Sequence, residues 1–411
     1  MKTDIVCVGL VSWPGDYNKS TVQLMNELAK DHRLLFVNYA FTINDVVKHL
    51  LGRARIPLRA VLGLTDRLTT HSLASDARLH VLTLPWTLPI NWLPPGALYT
   101  ALLNWNARRQ ARCIRRALDR LGFSRPVVIN AFHPSLGVAM AGLLNERALI
   151  YYCYDDIRAE AWSRQHGERL EKQFLRRVDA VVTTSAALAA AKRAEQPRTF
   201  LVENGVDFDQ FYQPDALYPT SRAVKTIGYI GALDNRIDWS LLERCFTHFP
   251  HIQFLLVGRI PDPALAAWLR QFENVQAPGP QPPVDLPTWV RQMDVGLIPF
   301  VRNEQTRAIY PMKLNEYLAT GIPVVATDFT DLSQFDGLIQ VASTTDAFVD
   351  ALQESLLFDK PDLCLKRIEM ARSNSWQHRG QQFSAIIDEV LTQPSAAETQ
   401  ADAVAHQPAT R

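Results

Sequence analysis

The sequence predicts an α/β protein made of two successive parallel-sheet domains. Three observations lead there. Short apolar runs such as Ile5–Leu10, Val127–Asn130, Thr226–Ile230 and Gln253–Val257 alternate with longer stretches of helical periodicity. The chain has 411 residues and is 47% hydrophobic, more than one ordinary core requires. A turn-rich stretch, Pro214–Val224, separates two such series.

The first series opens as βαβ. Ile5–Leu10 is a strand, and Gly9 near its end allows close backbone approach. The loop Ser12–Asn18 brings Trp13, Asp16 and Tyr17, which fit either an acceptor contact or a solvated turn. Thr21–Leu28 is helical through Val22, Met25 and Leu28, and Leu34–Val37 is the second strand. The three-glycine dinucleotide fingerprint is missing, so NAD is not expected.

Residues 41–75 are less regular. Val46–Leu68 mixes Lys48, Arg53, Arg55, Arg59 and Arg67 with Val, Leu and Ile, against one acid, Asp66. Such a segment fits an anionic membrane surface or a solvated basic insertion, and Pro57 interrupts any single helix. Pro85–Pro95 is an apolar loop with Trp86 and Trp92, either a contact surface or a lid on the core.

Leu98–Leu121 reads as a long helix capped by Gly122. Between Asn104 and Arg125 there are seven arginines and one aspartate. Val127–Asn130 is a strand that delivers His133, just past its C-terminal end, to the side where ligands bind in such folds. Leu149–Tyr154 is followed by Asp155 and Asp156, which fit a metal or substrate site or a helix cap. A helix through Glu168 and Glu171, strands at Asp179–Thr184 and Thr199–Val202, and the turn Glu203–Asp207 complete the half.

The second series runs through strands Thr226–Ile230, Gln253–Val257, Val295–Ile298 and Leu338–Val341, a helix at Trp239–Phe246 and a proline-rich loop at 277–287. Gly231 and Gly258 close two strands and are expected to bring amides near a phosphate. Ala308–Asp328 holds the densest signal. Pro311 is placed as a first helical residue, Met312, Leu314, Tyr317 and Leu318 form its apolar side, and Gly321 ends it before the strand Val324–Ala326. Lys313 and Glu316 share one side of that helix. They fit a surface salt bridge, or a site for a hydroxylated, phosphorylated ligand at a helix N-terminus. Helices at 346–357 and 361–390 follow, then a small polar tail.

The bulk properties exclude several classes. A formal charge of +1 does not suggest a nucleic-acid binder. Five scattered cysteines fit neither a zinc spacing nor a disulfide framework, which suggests reduced, cytosolic thiols. The first apolar run is too short for a signal peptide or a membrane span, and no stretch reaches 18 uncharged apolar residues. The expectation is a cytoplasmic protein, soluble or at the inner face of the membrane.

Five segments together carry a family likeness: YPMKLNEYLATGIPVVAT (Tyr310–Thr327), ENGVD (Glu203–Asp207), IGYIGAL (Ile227–Leu233), LLVG (Leu255–Gly258) and MDVGLIPF (Met293–Phe300). The chain resembles the retaining GT-B glycosyltransferases of group 1, or family 4, over roughly residues 4–390. Within that group it is similar to bacterial cell-surface polysaccharide transferases of the teichuronic-acid type. The resemblance implies two Rossmann-like domains facing a cleft: an acceptor-side domain at 1–215 and a nucleotide-sugar domain at 216–375. A helix at 376–392 would pack back on the first domain, and 393–411 would be a disordered tail.

The resemblance also implies a UDP- or GDP-sugar donor, a glycan or lipid-linked acceptor, no metal, no cofactor and no nucleic acid. Glu316 matches the family's second motif glutamate, which accepts from ribose hydroxyls. The helix from Pro311 would face the diphosphate, with Met312 and Leu314 in the same donor-binding segment. Lys313 would share the diphosphate or sugar contact, and His133 matches the histidine beside the transferred sugar. Two departures stand out. The first motif glutamate is replaced by Ala308, with Glu304 out of register. The Arg–Lys diphosphate clamp is reduced to Arg236, with Arg259 as a second candidate. Three functions follow: a surface or exopolysaccharide glycosyltransferase, a non-catalytic GT-B partner with a decayed donor site, and a small-molecule transferase or nucleotide-sugar epimerase. Peripheral membrane contact through 46–68 and 85–95 accompanies the first.

Overall fold

The structure is a computed structural model that describes residues 2–13, 19–73, 77–214 and 224–392. Asp16, Tyr17, most of the expected linker and the polar tail at 393–411 lie outside the described residues. The chain divides into two compact units. One runs up to Glu203 and resumes at Gly380, and the other is Asn204–Arg379. The expected boundary at 215/216 is thus drawn earlier, because Phe208 and Phe211 are buried in the core of the second unit. The expected separate helix at 376–392 is the helix Trp376–Thr392, divided between the units at Arg379/Gly380.

Among the described residues the first unit contains eight strands: β1 (Asp4–Gly9), β2 (Arg33–Val37), β3 (Leu68–Ser72), β4 (Arg78–Leu82), β5 (Val127–Ala131), β6 (Ala148–Cys153), β7 (Ala180–Thr183) and β8 (Thr199–Leu201). Their order is β3-β4-β2-β1-β5-β6-β7-β8, and β3 alone is antiparallel to its neighbour. The central strands β1, β5 and β6 are wholly buried, as expected of a sheet covered on both faces. The order reverses between β1 and β5, so ligands are expected beyond the carboxyl ends of these two strands. Gly9 pairs with Ala131 there, and a Cβ on Gly9 would sit 2.8 Å from the Ala131 carbonyl oxygen.

The second unit contains β9 (Thr226–Ile230), β10 (Gln253–Val257), β11 (Val275–Gly279), β12 (Val295–Ile298), β13 (Val324–Thr327) and β14 (Gln340–Ala342). All pairs are parallel, in the order β11-β10-β9-β12-β13-β14, and the order reverses between β9 and β12.

Several elements depart from the sequence reading. Residues 41–75, read as irregular, hold the capped helix Ile43–Leu50, the short helix Leu58–Leu62 and β3, while β4 follows just beyond. The proline-rich loop overlaps β11, which tolerates Pro278 because it is an edge strand. Pro311 is the N-cap, with Met312 the first helical residue. The single helix expected at 361–390 is two, Pro361–Ser373 and Trp376–Thr392, broken at Asn374 and Ser375.

Candidate active site

Both units place candidate residues beyond the strand ends where sheet order reverses. In the second unit the placement starts from a glycine. Gly296 on β12 has no Cβ, and one would meet the Tyr317 ring at 2.6 Å. The ring therefore lies flat on the sheet, and its hydroxyl accepts the Ile230 N–H at 2.9 Å. This fixes the helix Met312–Ala319 on β9 and β12. Gly321, at φ 79°, ends it in the left-handed conformation. A buried polar chain holds its other side. Asn315 Nδ2 donates to the Tyr310 hydroxyl at 3.0 Å, and Asn374 Nδ2 donates to Asn315 Oδ1 at 3.0 Å. Asn204 Nδ2 donates to the Tyr310 carbonyl at 3.0 Å.

The Lys313 side chain then lies across the end of β9. Its ammonium is 4.7 Å from the Phe300 ring centre and 5.0 Å from that of Tyr229. Its stem runs beside Gly231, where a Cβ would come within 3.1 Å of Lys313 Cε. Desolvation first, and Arg236 second, push the ammonium down to about 7, while Glu316 and Asp234 pull it back. Glu316, one turn on, is 8% exposed. Burial pushes its carboxyl up to about 7, against the pull of Lys313. Among the described residues neither makes an ion pair, so the expected surface salt bridge is not formed. A cation and an acid, both partly desolvated on one helix, suit a ligand that is anionic at one end and hydroxylated at the other.

The remaining predicted residues fall as follows. The Gly231 N–H donates to Val257 O at 2.9 Å, and the Gly258 N–H to Gly279 O at 3.0 Å. These amides are spent on the fold, which corrects the expectation that they face a phosphate. The two glycines are needed for space, since a Cβ on Gly258 would overlap the Gly231 carbonyl. Arg236 grips Asp234 through two bonds, 2.9 and 2.8 Å, with its guanidinium 5.7 Å from the Phe300 ring centre. Arg259 is exposed. Pro311 is buried and Met312 half-buried. Leu314 is wholly buried in the core, so its side chain cannot reach a ligand. Ala308 is the buried C-cap of the helix Glu304–Arg307, and Glu304 is exposed.

In the first unit, His133 caps the helix Pro134–Met140. Its N–H donates to Asn130 Oδ1 at 2.9 Å, while Asn130 Nδ2 donates to its carbonyl at 3.1 Å. Phe132 immediately before it takes φ 56°, a strained value for an aromatic residue. The imidazole lines a cavity of about 620 Å³ with Tyr39, Trp92, Tyr99, Gln110 and Trp162. Its Nδ1 is buried and has no hydrogen-bond partner among the described residues, and burial pushes the ring down to about 4, so it is neutral at pH 7. Sequence reasoning missed Gln110, whose Oε1 is also buried with no partner among the described residues, because it sits among arginines on a helix read for its charge. The Pro85–Pro95 loop divides its residues. Ile90 and Leu93 pack on Tyr99 and Leu103, and Trp92 is 73% exposed. Trp13 donates from Nε1 to Asn26 at 3.1 Å. Asp156 caps a short helical turn and pairs with Arg158 at 2.7 Å. Among the described residues no three His, Cys, Asp or Glu side chains are grouped to hold a metal ion, and no helix is long and apolar enough to cross a membrane.

Residues 224–357 match the family described as Glycosyl transferases group 1. The chain is similar to the Bacillus subtilis (strain 168) glycosyltransferase TuaH, assigned to teichuronic acid biosynthesis, at 28% identity over 176 residues. That alignment covers 40% of this chain and 44% of TuaH. It is also similar to the lipopolysaccharide core biosynthesis mannosyltransferase LpsB of Rhizobium meliloti (strain 1021), at 28% identity, covering 47% of this chain and 59% of LpsB. The chain thus spans about half the length of the curated relatives it matches. The sucrose-phosphate synthase of Thermosynechococcus elongatus shares the fold, with TM-score 0.69 at 15% identity, over 95% of this chain and 100% of that one. The protein therefore has the two-domain α/β fold of the GT-B glycosyltransferases, and its segment 224–357 matches the family described as Glycosyl transferases group 1.

Proposed function

We propose that the protein is a glycosyltransferase that takes a sugar from a nucleoside-diphosphate sugar, a UDP- or GDP-sugar, and passes it with retention to a polysaccharide or lipid-linked acceptor in cell-surface or exopolysaccharide synthesis. The observation that carries this is the Lys313–Glu316 pair, held partly desolvated and without ion-pair partners among the described residues at the point where sheet order reverses. A leaving nucleoside diphosphate needs its developing charge stabilised, and an ammonium in a low-dielectric setting does that. The first two amides of the helix, Met312 and Lys313, have no acceptor within it by position and favour the same anion. Glu316 in this reading accepts from the ribose hydroxyls.

The first unit would receive the acceptor in the His133 cavity, where neutral imidazole and Gln110 offer hydrogen bonds within aromatic walls. Val47, Leu50, Leu51, Leu62 and Leu64 are exposed beside Lys48, Arg53, Arg55 and Arg59, a composition that suits peripheral contact with an anionic membrane at its cytoplasmic face.

Calorimetric titration with UDP-, GDP-, ADP- and dTDP-sugars tests the reading. Binding of one donor, lost in a folded Glu316→Ala protein, is the expected result. Binding of none would favour a second reading, a non-catalytic partner in a polysaccharide assembly. That reading is favoured by Ala308, a buried helix cap where the family places a sugar-contacting glutamate.

A further inference from the structure

The long helix Ala97–Leu121 carries arginines that neither candidate site uses. Arg109, Arg112, Arg116 and Arg120 follow at spacings of three, four and four, which puts them along one side. Arg67 joins them from the turn before β3, and together they line a cleft of about 400 Å³. Among the described residues Asp66 is the one carboxylate in its lining.

The guanidiniums are held, but not neutralised. Arg120 grips Asp66 through two bonds, 2.9 and 2.7 Å, which uses up the single acid. Arg67 donates to the carbonyls of Ala60 and Val61 at 2.9 and 3.1 Å, so it is fixed by the end of a short helix and keeps its charge. Arg109 lies 3.9 Å from the Trp86 ring centre and 5.4 Å from that of Trp105, which occupies its faces and leaves its edges. Arg112 donates from Nε to Arg108 O at 3.3 Å. Arg116 makes no ion pair among the described residues and is exposed. Arg109 is held below the ordinary arginine value, by burial first and then by Arg67 and Arg112. Crowding like charges costs free energy that a bound anion would offset. Cys113 at the wall is no nucleophile, since burial raises its thiol despite three neighbouring arginines.

We infer that this cleft is a binding site for a phosphate-bearing anion, a phosphodiester or pyrophosphate group taken by the edges of Arg109, Arg112 and Arg116. Planar guanidiniums fit phosphate oxygens in pairs, and several converging on one cleft select a compact polyanion. The group can arrive on a soluble molecule or as a lipid headgroup.

The test uses the full chain, two probes and two charge reversals. Inorganic pyrophosphate is titrated by calorimetry, and vesicles of phosphatidylcholine with and without phosphatidylglycerol are tested by co-sedimentation. Arg116→Glu alters the cleft; Arg115→Glu makes the same charge change on the same helix outside its lining. Arg112→Gln repeats the test with a milder substitution, and thermal melting checks that each variant is folded. Saturable binding weakened about tenfold or more by Arg116→Glu and less than about twofold by Arg115→Glu is expected. Seen with pyrophosphate it assigns a soluble ligand; seen only with phosphatidylglycerol vesicles it assigns a headgroup. If neither probe binds, or both reversals weaken binding equally, the site does not exist. The outcome is independent of the donor-site reading, which rests on Lys313 and Glu316.

Discussion

Lys313 holds its ammonium 4.7 Å from the centre of the Phe300 ring, with Glu316 one helical turn away and outside ion-pair distance. Burial lowers this ammonium to about 7, so at pH 8 most of it is neutral in the free protein. A diphosphate bound beside it would favour the charged form. Donor binding at pH 8 should therefore take up a proton. Calorimetry in buffers of different ionisation enthalpy would show this as a buffer-dependent heat, absent in Lys313→Met. A heat independent of buffer would remove Lys313 from the diphosphate contact.

Glu316 behaves in the opposite sense. Its folded value, about 7, stands above the ordinary carboxyl value of 4.5, so the folded state binds more protons between these limits. Its stabilising contribution is full below about pH 4.5 and is lost as pH rises to about 7. Glu316→Gln keeps the shape and removes the titration. The variant should gain stability relative to the parent across that window, while nucleotide-sugar affinity falls by roughly tenfold or more through the lost charged acceptor. Denaturation midpoints at pH 4.5 and 7.5, paired with donor titrations, separate the two effects.

Much of this arrangement was legible in the sequence, for identifiable reasons. Buried parallel strands such as β5, β9 and β12 are near-continuous apolar runs, so their existence and order of appearance could be read. The helix of Lys313 and Glu316 was legible because Pro311 and Gly321 bracket it. β3 and β11 were not, because edge strands need no apolar face: β3 reads LTTHS and is largely exposed, and β11 contains Pro278. Gly231 and Gly258 were legible as strand ends but were read as bringing amides near a phosphate, because the carbonyls their N–H groups reach belong to β10 and β11, which only the fold brings beside them. Gln110 and the arginine cleft were hidden for the same reason. Helical spacing places Arg109 and Arg116 on one side, but only the fold brings Arg67 and Asp66 to them.

The strand ends tolerate no side chain at Gly258. A methyl there would overlap the Gly231 carbonyl, a backbone group that cannot rotate away. Gly258→Ala should cost about 1–3 kcal/mol from overpacking, with more if the backbone is forced apart. Gly279→Ala is a useful comparison. Its φ is also positive, at 83°, but a Cβ there meets nothing within 4 Å, so only the backbone penalty of about 1 kcal/mol applies. Urea midpoints of the two variants should rank accordingly, and equal losses would show that space at Gly258 is not limiting.

A buried ion pair braces the first unit. Lys192 Nζ lies 2.6 Å from Glu171 Oε2, and the Tyr151 hydroxyl donates to Glu171 Oε1 at 2.8 Å. Lys192→Met would leave that carboxylate uncompensated and should cost about 3–5 kcal/mol, whereas Lys192→Met with Glu171→Leu should recover much of the loss. Burial opposes the charge on Lys192, but Cys153 and Glu171 outweigh it and raise the ammonium above its ordinary value. The stabilisation it gives is thus complete below about pH 10 and is lost only as pH rises through the higher folded value. A double-mutant cycle at pH 7 measures the coupling, and additive losses would mean that the pair is not a unit.

His133 supplies the clearest prediction on the acid side. Burial lowers its imidazole to about 4, below the ordinary 6.5, so the unfolded chain binds more protons between these values. Stability should rise with pH through that window, and the gain should vanish in His133→Phe. The unpartnered Nδ1 gives the same ring a functional signature. If it hydrogen-bonds a ligand as neutral imidazole, kcat/KM should show no inflection near pH 6.5 from this group, and His133→Phe should lower it without changing donor affinity. Imidazole resonances followed by NMR from pH 4 to 8 report the value directly. A midpoint near 6.5 would show that the ring is solvated, and would take His133 out of the neutral, desolvated role assigned to it.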